Sequence, residues 1–229
     1  MGRAVCAFAR LGHSNTMTPL QTRFAAAMDL LPLVAILRGL GPHEAIATGA
    51  ALAQAGFVLL EVPLNSPQAL DSIGQLARAH PNALIGAGTV LTPGQVQQVH
   101  AVGGQLIVSP HFDAEVLRAA LALGMLCLPG VLTPSEAFAA LAAGAHGLKL
   151  FPAEIATPAG LKSLRAVLPP ATRVLPVGGI NATNMGPWRA AGADGFGIGS
   201  ALYRPGKCAA AVRDSALEFA AAFKASPRA

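Results

Sequence analysis

The chain has 229 residues, of which 53% are apolar and only 12% charged, about half the roughly 25% usual in a soluble domain. So much apolar surface excludes a disordered or collagen-like chain, and a formal net charge of +5 points to a polyanion only if its basic residues cluster. They do not: the excess lies in the first 29 and last 29 residues, residues 30–200 hold eight basic and eight acidic side chains, and aromatics are 5%, which excludes a nucleic-acid partner.

Residues 1–28 carry Arg3, Arg10 and Arg23 without apolar alternation, and Met17 and Met28 both stand where translation can begin. This segment reads as an N-terminal extension, poorly ordered or left by a mis-assigned start, with an Arg-bearing transit peptide as the alternative. Residues 29–229 read as one domain.

From Leu33 the chain repeats a short apolar run, a turn and a longer amphipathic stretch. The runs are LVAILRG from Leu33, VLLEVPL from Val58, LIGAGTV from Leu84, QLIVSP from Gln105, LCLPG from Leu126, GLKLFP from Gly147, RVLPVGG from Arg173 and GFGIGS from Gly195. They start 25, 26, 21, 21, 21, 26 and 22 residues apart, enough each time for a strand, a helix and two loops. Unbroken apolar runs are typical of strands covered on both faces, and strand–helix alternation implies parallel crossovers. Eight such units predict a single-domain (β/α)8 TIM barrel.

The helices are expected at His43–Ala55, Pro67–His80, Pro93–Val102, Asp113–Leu123, Pro134–Ala143, Pro158–Leu168, Asn181–Ala191 and Lys207–Lys224, most of them opening on Pro, Asp or Asn. A doubly wound open sheet is the alternative; against it, no GxGxxG opens a helix after the first strand. Pro81, Pro93 and Pro110 interrupt the longest uncharged stretch, Ala79–Phe112, so no membrane span is expected. Cys6, Cys127 and Cys208 form no CxxC and no ligand set, which reads as a reduced, cytoplasmic chain without disulfide, metal or cofactor.

Barrel chemistry collects at the C-terminal ends of the strands, where only Arg38, Glu61 and Lys149 are charged. Between Leu148, Leu150 and Phe151, a poorly hydrated Lys149 would have its pKa lowered, freeing the amine to attack a carbonyl. Glu61 in the same apolar mouth would have its pKa raised, so that it can take and return a proton. The structural alternative is a buried Glu61–Lys149 ion pair that merely locks the barrel.

After the last two strands, Gly178, Gly179, Gly199 and Ser200 offer backbone N–H groups to an anion, the usual barrel phosphate position. Thr89, ending the third strand, is a candidate for holding a carboxylate or a simple turn residue. His111 reads as a rim residue and Cys127 as core.

As an ordered series, LRG, EVPLNSP, GAGTVL, LIVSP, KLFPA, PVGGI and GIGS resemble the class I 2-keto-3-deoxy-6-phosphosugar-acid aldolases, in register from about Leu33 to Lys224. The resemblance implies a trimeric (β/α)8 barrel that cleaves a phosphorylated keto-deoxy sugar acid reversibly to pyruvate and glyceraldehyde 3-phosphate, without a metal. It assigns the Schiff-base lysine to Lys149, acid/base work to Glu61, and substrate binding to Arg38, Thr89, Gly178, Gly179, Gly199 and Ser200. Asn65 and Val177 stand where the gluconate branch has arginine and threonine, so the chain looks like the galactonate branch. Gluconate-type or dual activity is the runner-up. A phosphosugar-binding barrel without turnover and a phosphosugar isomerase or epimerase are the more distant alternatives.

Overall fold

A computed structural model of the chain describes residues 17–227. The first described element is a helix, α1 (Pro19–Leu30), and the repeating units follow. The first four are β1 (Leu33–Ile36), α2 (Pro42–Gln54), β2 (Leu59–Pro63), α3 (Ala69–Ala79), β3 (Leu84–Gly88), α4 (Pro93–Ala101), β4 (Leu106–Val108) and α5 (Ala114–Ala122). The second half holds β5 (Leu126–Leu128), β6 (Gly130–Val131), α6 (Pro134–Ala142), β7 (Leu148–Leu150), α7 (Ala153–Arg165), β8 (Val174–Pro176), α8 (Met185–Ala190), β9 (Phe196–Ile198) and α9 (Ala209–Lys224).

All strand pairings are parallel. Six strands run in the order β5-β4-β3-β2-β1-β9, and β6-β7-β8 form a second set. The sets join at both ends: β5 and β6 are halves of one stave parted at Pro129, and a Val177–Gly197 bridge links the end of β8 to β9. The result is the expected eight-staved barrel. Pro129 breaks the fifth stave because it has no N–H to give the ladder, although its carbonyl still accepts from the Lys149 N–H at 2.9 Å.

The two faces of each strand separate two cores. Val34, Leu59, Leu84, Leu106, Leu126 and Leu175 fill the barrel's interior, while Leu33, Leu60, Ile85, Ile107, Cys127 and Phe196 lie beneath the helices. This is the period-two alternation of strands buried on both sides.

Three boundaries differ from expectation. Residues 18–28 are part of the folded domain: Thr18 and Gln21 form a capping box, Pro19 opens the helix, and Phe24, Ala27 and Met28 pack onto the interior core. The domain therefore begins upstream of residue 29, and the rest of the expected extension, residues 1–16, lies outside the described residues. The helix expected from Pro158 begins at Ala153 and is interrupted at Thr157 (φ 59°), because the residue before a proline is driven out of the helical region. The helix expected from Asn181 begins at Met185; Asn181 opens a turn instead, its side chain accepting from the backbone N–H of Thr183 and Asn184.

Candidate active site

Strand register places Glu61 between Ile36 and Gly86, and Lys149 between Gly130 and Leu175. Both side chains point into the barrel and line one small cavity in its mouth. Its other walls are apolar, including Val34, Ile36, Val108, Leu128 and Val177. Glu61 is 1% exposed and Lys149 7%.

Burial dominates the titration of both groups. It raises the Glu61 carboxyl to about 7, although the nearby positive charges of Lys149 and Arg38 oppose the rise. It lowers the Lys149 ammonium from its usual range; the Glu61 charge opposes that shift and Arg38 adds to it. The Lys149 Nζ lies over the Phe151 ring, 4.6 Å from its centroid.

The two groups are electrostatically coupled, yet they are not among the ion pairs within 4.0 Å in the described residues. Among the described residues Glu61 Oε2 is buried without a hydrogen-bond partner. A pair built for stability would satisfy that oxygen, so the geometry disfavours the lock. Room for the carboxylate comes from Gly88, where a Cβ would collide with the Glu61 carboxyl group. This glycine was missed in the sequence, and its signal was position: 84, 86 and 88 are the inward places of β3, two of them glycine.

Above this mouth a cavity of about 380 Å3 opens at the C-terminal face. Arg38, Val177, Gly178, Gly179, Gly199 and Ser200 all line it, so six of the expected residues converge there. Arg38 donates from Nη1 to Asn65 Oδ1 at 2.8 Å, which brings a seventh alongside. Thr89 is the exception, because it lines neither cavity. It sits one residue beyond Gly88 with φ 56°, a strained backbone for a β-branched side chain, and such strain concentrates at functional sites. Glu154 and Arg204, not foreseen, also line the upper cavity.

The remaining candidates are plain. His111 is exposed, and Cys127 is buried under the helix layer, its thiol pushed up to about 12 by burial. Among the described residues no three His, Cys, Asp or Glu side chains group as metal ligands do, and no helix is long and apolar enough to cross a membrane. A separate surface groove of about 430 Å3 lies between the β2–α3 loop and α4, with Asp71 as the ionisable group among its lining residues.

Residues 25–211 match the family model described as KDPG and KHG aldolase. The chain is 48% identical over 195 residues, 85% of its length and 92% of the relative's, to a probable 2-dehydro-3-deoxy-6-phosphogalactonate aldolase of Rhizobium meliloti (strain 1021). It is 47% identical over 195 residues to the 2-dehydro-3-deoxy-6-phosphogalactonate aldolase of Escherichia coli (strain K12), covering 85% of this chain and 95% of that one. A solved structure described as native KDPGal superposes with a TM-score of 0.84 at 46% identity, over 86% of this chain and 96% of that chain.

Proposed function

This chain belongs to the KDPG and KHG aldolase family, and from that premise we propose that it is a class I aldolase cleaving 2-dehydro-3-deoxy-6-phospho-D-galactonate reversibly to pyruvate and D-glyceraldehyde 3-phosphate. The observation that carries the chemistry is the cavity holding a buried amine and a buried carboxyl, each shifted by burial toward the form the reaction needs. A lowered lysine supplies free amine as nucleophile, and a carboxyl near 7 gives and takes protons at neutral pH.

In this mechanism the neutral Lys149 amine attacks the keto carbon to give a carbinolamine. Glu61 transfers the protons that let water leave, which creates the protonated imine. Glu61 as carboxylate then removes the proton of the carbon-4 hydroxyl. The bond between carbons 3 and 4 breaks, its electrons enter the imine to form an enamine, and the aldehyde departs. Glu61 returns the proton to carbon 3, and water hydrolyses the imine to release pyruvate and the free amine. Arg38, Thr89 and the backbone of Gly178, Gly179, Gly199 and Ser200 bind the substrate's charged groups, so that remote binding energy orients the reacting end.

Val177 and Asn65 set the preference between the carbon-4 epimers. Val177 lines both cavities and offers no hydroxyl to a substrate, while Asn65 acts through Arg38. Comparing kcat/KM on the two epimers tests the substrate assignment. The galactonate epimer is expected to lead by about tenfold or more, and a lead for the gluconate epimer would reassign the chain to the other branch. The family resemblance also supports a cytoplasmic homotrimer, and Leu91, Leu132, Phe138 and Ile155 leave large apolar side chains exposed for a neighbouring copy.

A further inference from the structure

The upper cavity contains a second guanidinium. Arg204 lies beyond β9, and its Nε donates to the Ser200 carbonyl at 2.9 Å. Its two Nη groups hydrogen-bond to no described residue, on a cavity that Gly178, Gly179, Gly199 and Ser200 also line. Arg38 across the same cavity already spends an Nη1 donor on Asn65.

The turn carrying Arg204 is held on both sides. Leu202 and Tyr203 are buried, and their N–H groups donate to the Gly199 carbonyl. The Tyr203 hydroxyl donates to Glu44 on α2 at 2.7 Å, and Lys207 Nζ donates to the Leu202 carbonyl and the Ser215 hydroxyl, each at 2.7 Å. With its backbone so held and its Nε bonded to Ser200, this exposed arginine presents its fork on the cavity wall.

The cavity also has a need for such a cation. The Glu154 carboxylate lies so close to Gly178 that a Cβ there would collide with it. An incoming phosphate dianion therefore meets a negative charge beside the glycines meant to receive it.

We propose that Arg204 is a specificity-determining residue for the phosphate end of the substrate, taking two phosphate oxygens through Nη1 and Nη2 while offsetting Glu154. The inference rests on the aldolase reading above and adds to it the source of the phosphate preference. Planar guanidinium forks suit bidentate phosphate contact, and such charge-assisted bonds are about twice as strong as neutral ones.

The test runs the condensation of pyruvate with glyceraldehyde 3-phosphate and, separately, with glyceraldehyde. Arg204→Gln is expected to raise KM for the phosphorylated aldehyde about tenfold or more while kcat stays within about threefold, as loss of uniform binding requires. With glyceraldehyde its kcat/KM stays within about twofold of wild type, and Arg204→Lys restores part of the phosphorylated KM because it keeps the charge without the fork. Equal losses on both aldehydes would mean that Arg204 merely holds Ser200, and an unchanged KM for the phosphorylated aldehyde would likewise overturn the proposal. Borohydride trapping of pyruvate is the separate control. Wild type that traps none would bring down the aldolase reading itself, whereas trapping in Arg204→Gln with an unchanged KM removes only the role of Arg204.

Discussion

Two cation–carboxylate pairs lie at opposite ends of this barrel, and they are built differently. At the N-terminal end Arg165 donates from Nε to the Gly192 carbonyl (2.8 Å), from Nη1 to the Thr172 carbonyl (2.5 Å) and from Nη2 to Asp194. Asp194 Oδ2 in turn accepts from the Val174 N–H at 2.7 Å. At the C-terminal end Lys149 and Glu61 share an apolar cavity, stand outside ion-pair distance, and leave a buried carboxylate oxygen with no hydrogen-bond partner among the described residues. The first arrangement fastens α7 to the starts of β8 and β9. The second, on the proposed function, gives up stability for reactivity, since a buried charge without a partner is costly and shifts its pKa instead.

The contrast predicts opposite outcomes when each pair is broken. Lys149→Met should lower kcat by about 10³-fold or more, as removal of a covalent nucleophile does, without loss of thermal stability. A stable variant that retained turnover would erase the distinction. Glu61→Gln should lower kcat by about 10²- to 10⁴-fold, the usual worth of general acid–base catalysis. The same change should stabilise the protein at pH 8. The folded state keeps a proton between pH 4.5 and about 7 that the unfolded chain has released, so stability falls as pH rises through that window. Glutamine removes this slope, with a gain of at most about 3 kcal/mol in denaturant titrations.

Arg165→Met, by contrast, should cost about 3–5 kcal/mol of unfolding free energy while kcat per folded molecule stays unchanged. The smallest effect concerns His146, which helps seat α1: its Nδ1 accepts from the Cys127 N–H at 3.2 Å and its Nε2 faces the Gln21 amide at 3.2 Å. Burial lowers its pKa, so just below 6.5 the folded state binds fewer protons than the unfolded chain and stability falls as pH drops. Melting temperatures between pH 5 and 7 should show a loss of under about 1 kcal/mol that His146→Asn, which keeps an acceptor without titrating, removes. Identical pH slopes in the two proteins would show that His146 does not report on the α1 contact.

The same contrast explains what was legible in the sequence. Eight unbroken apolar runs at a steady spacing specify the barrel, and a lone charge inside such a run, as at Glu61 or Lys149, advertises its own cost. α1 was hidden because only three of its residues are buried, although the TPLQ cap and the spacing of Phe24, Ala27 and Met28 are helical signals. Glu154 and Arg204 could not be read from local pattern, and Gly88 only through its inward place on β3. Their significance lies in which side chain from another unit stands beside them: Glu61 against Gly88, Glu154 against Gly178, Arg204 facing both glycine turns. The Arg38–Asn65 bond is of the same kind, since it joins two residues singled out for separate reasons.

The most direct measurement of the central claim is borohydride reduction of the protein in the presence of pyruvate, followed by mass mapping of its peptides. The reduced pyruvate adduct is expected on Lys149 alone and absent from Lys149→Met. An adduct on Lys162 or another lysine, or none at all in a protein that still cleaves its substrate, would contradict the account.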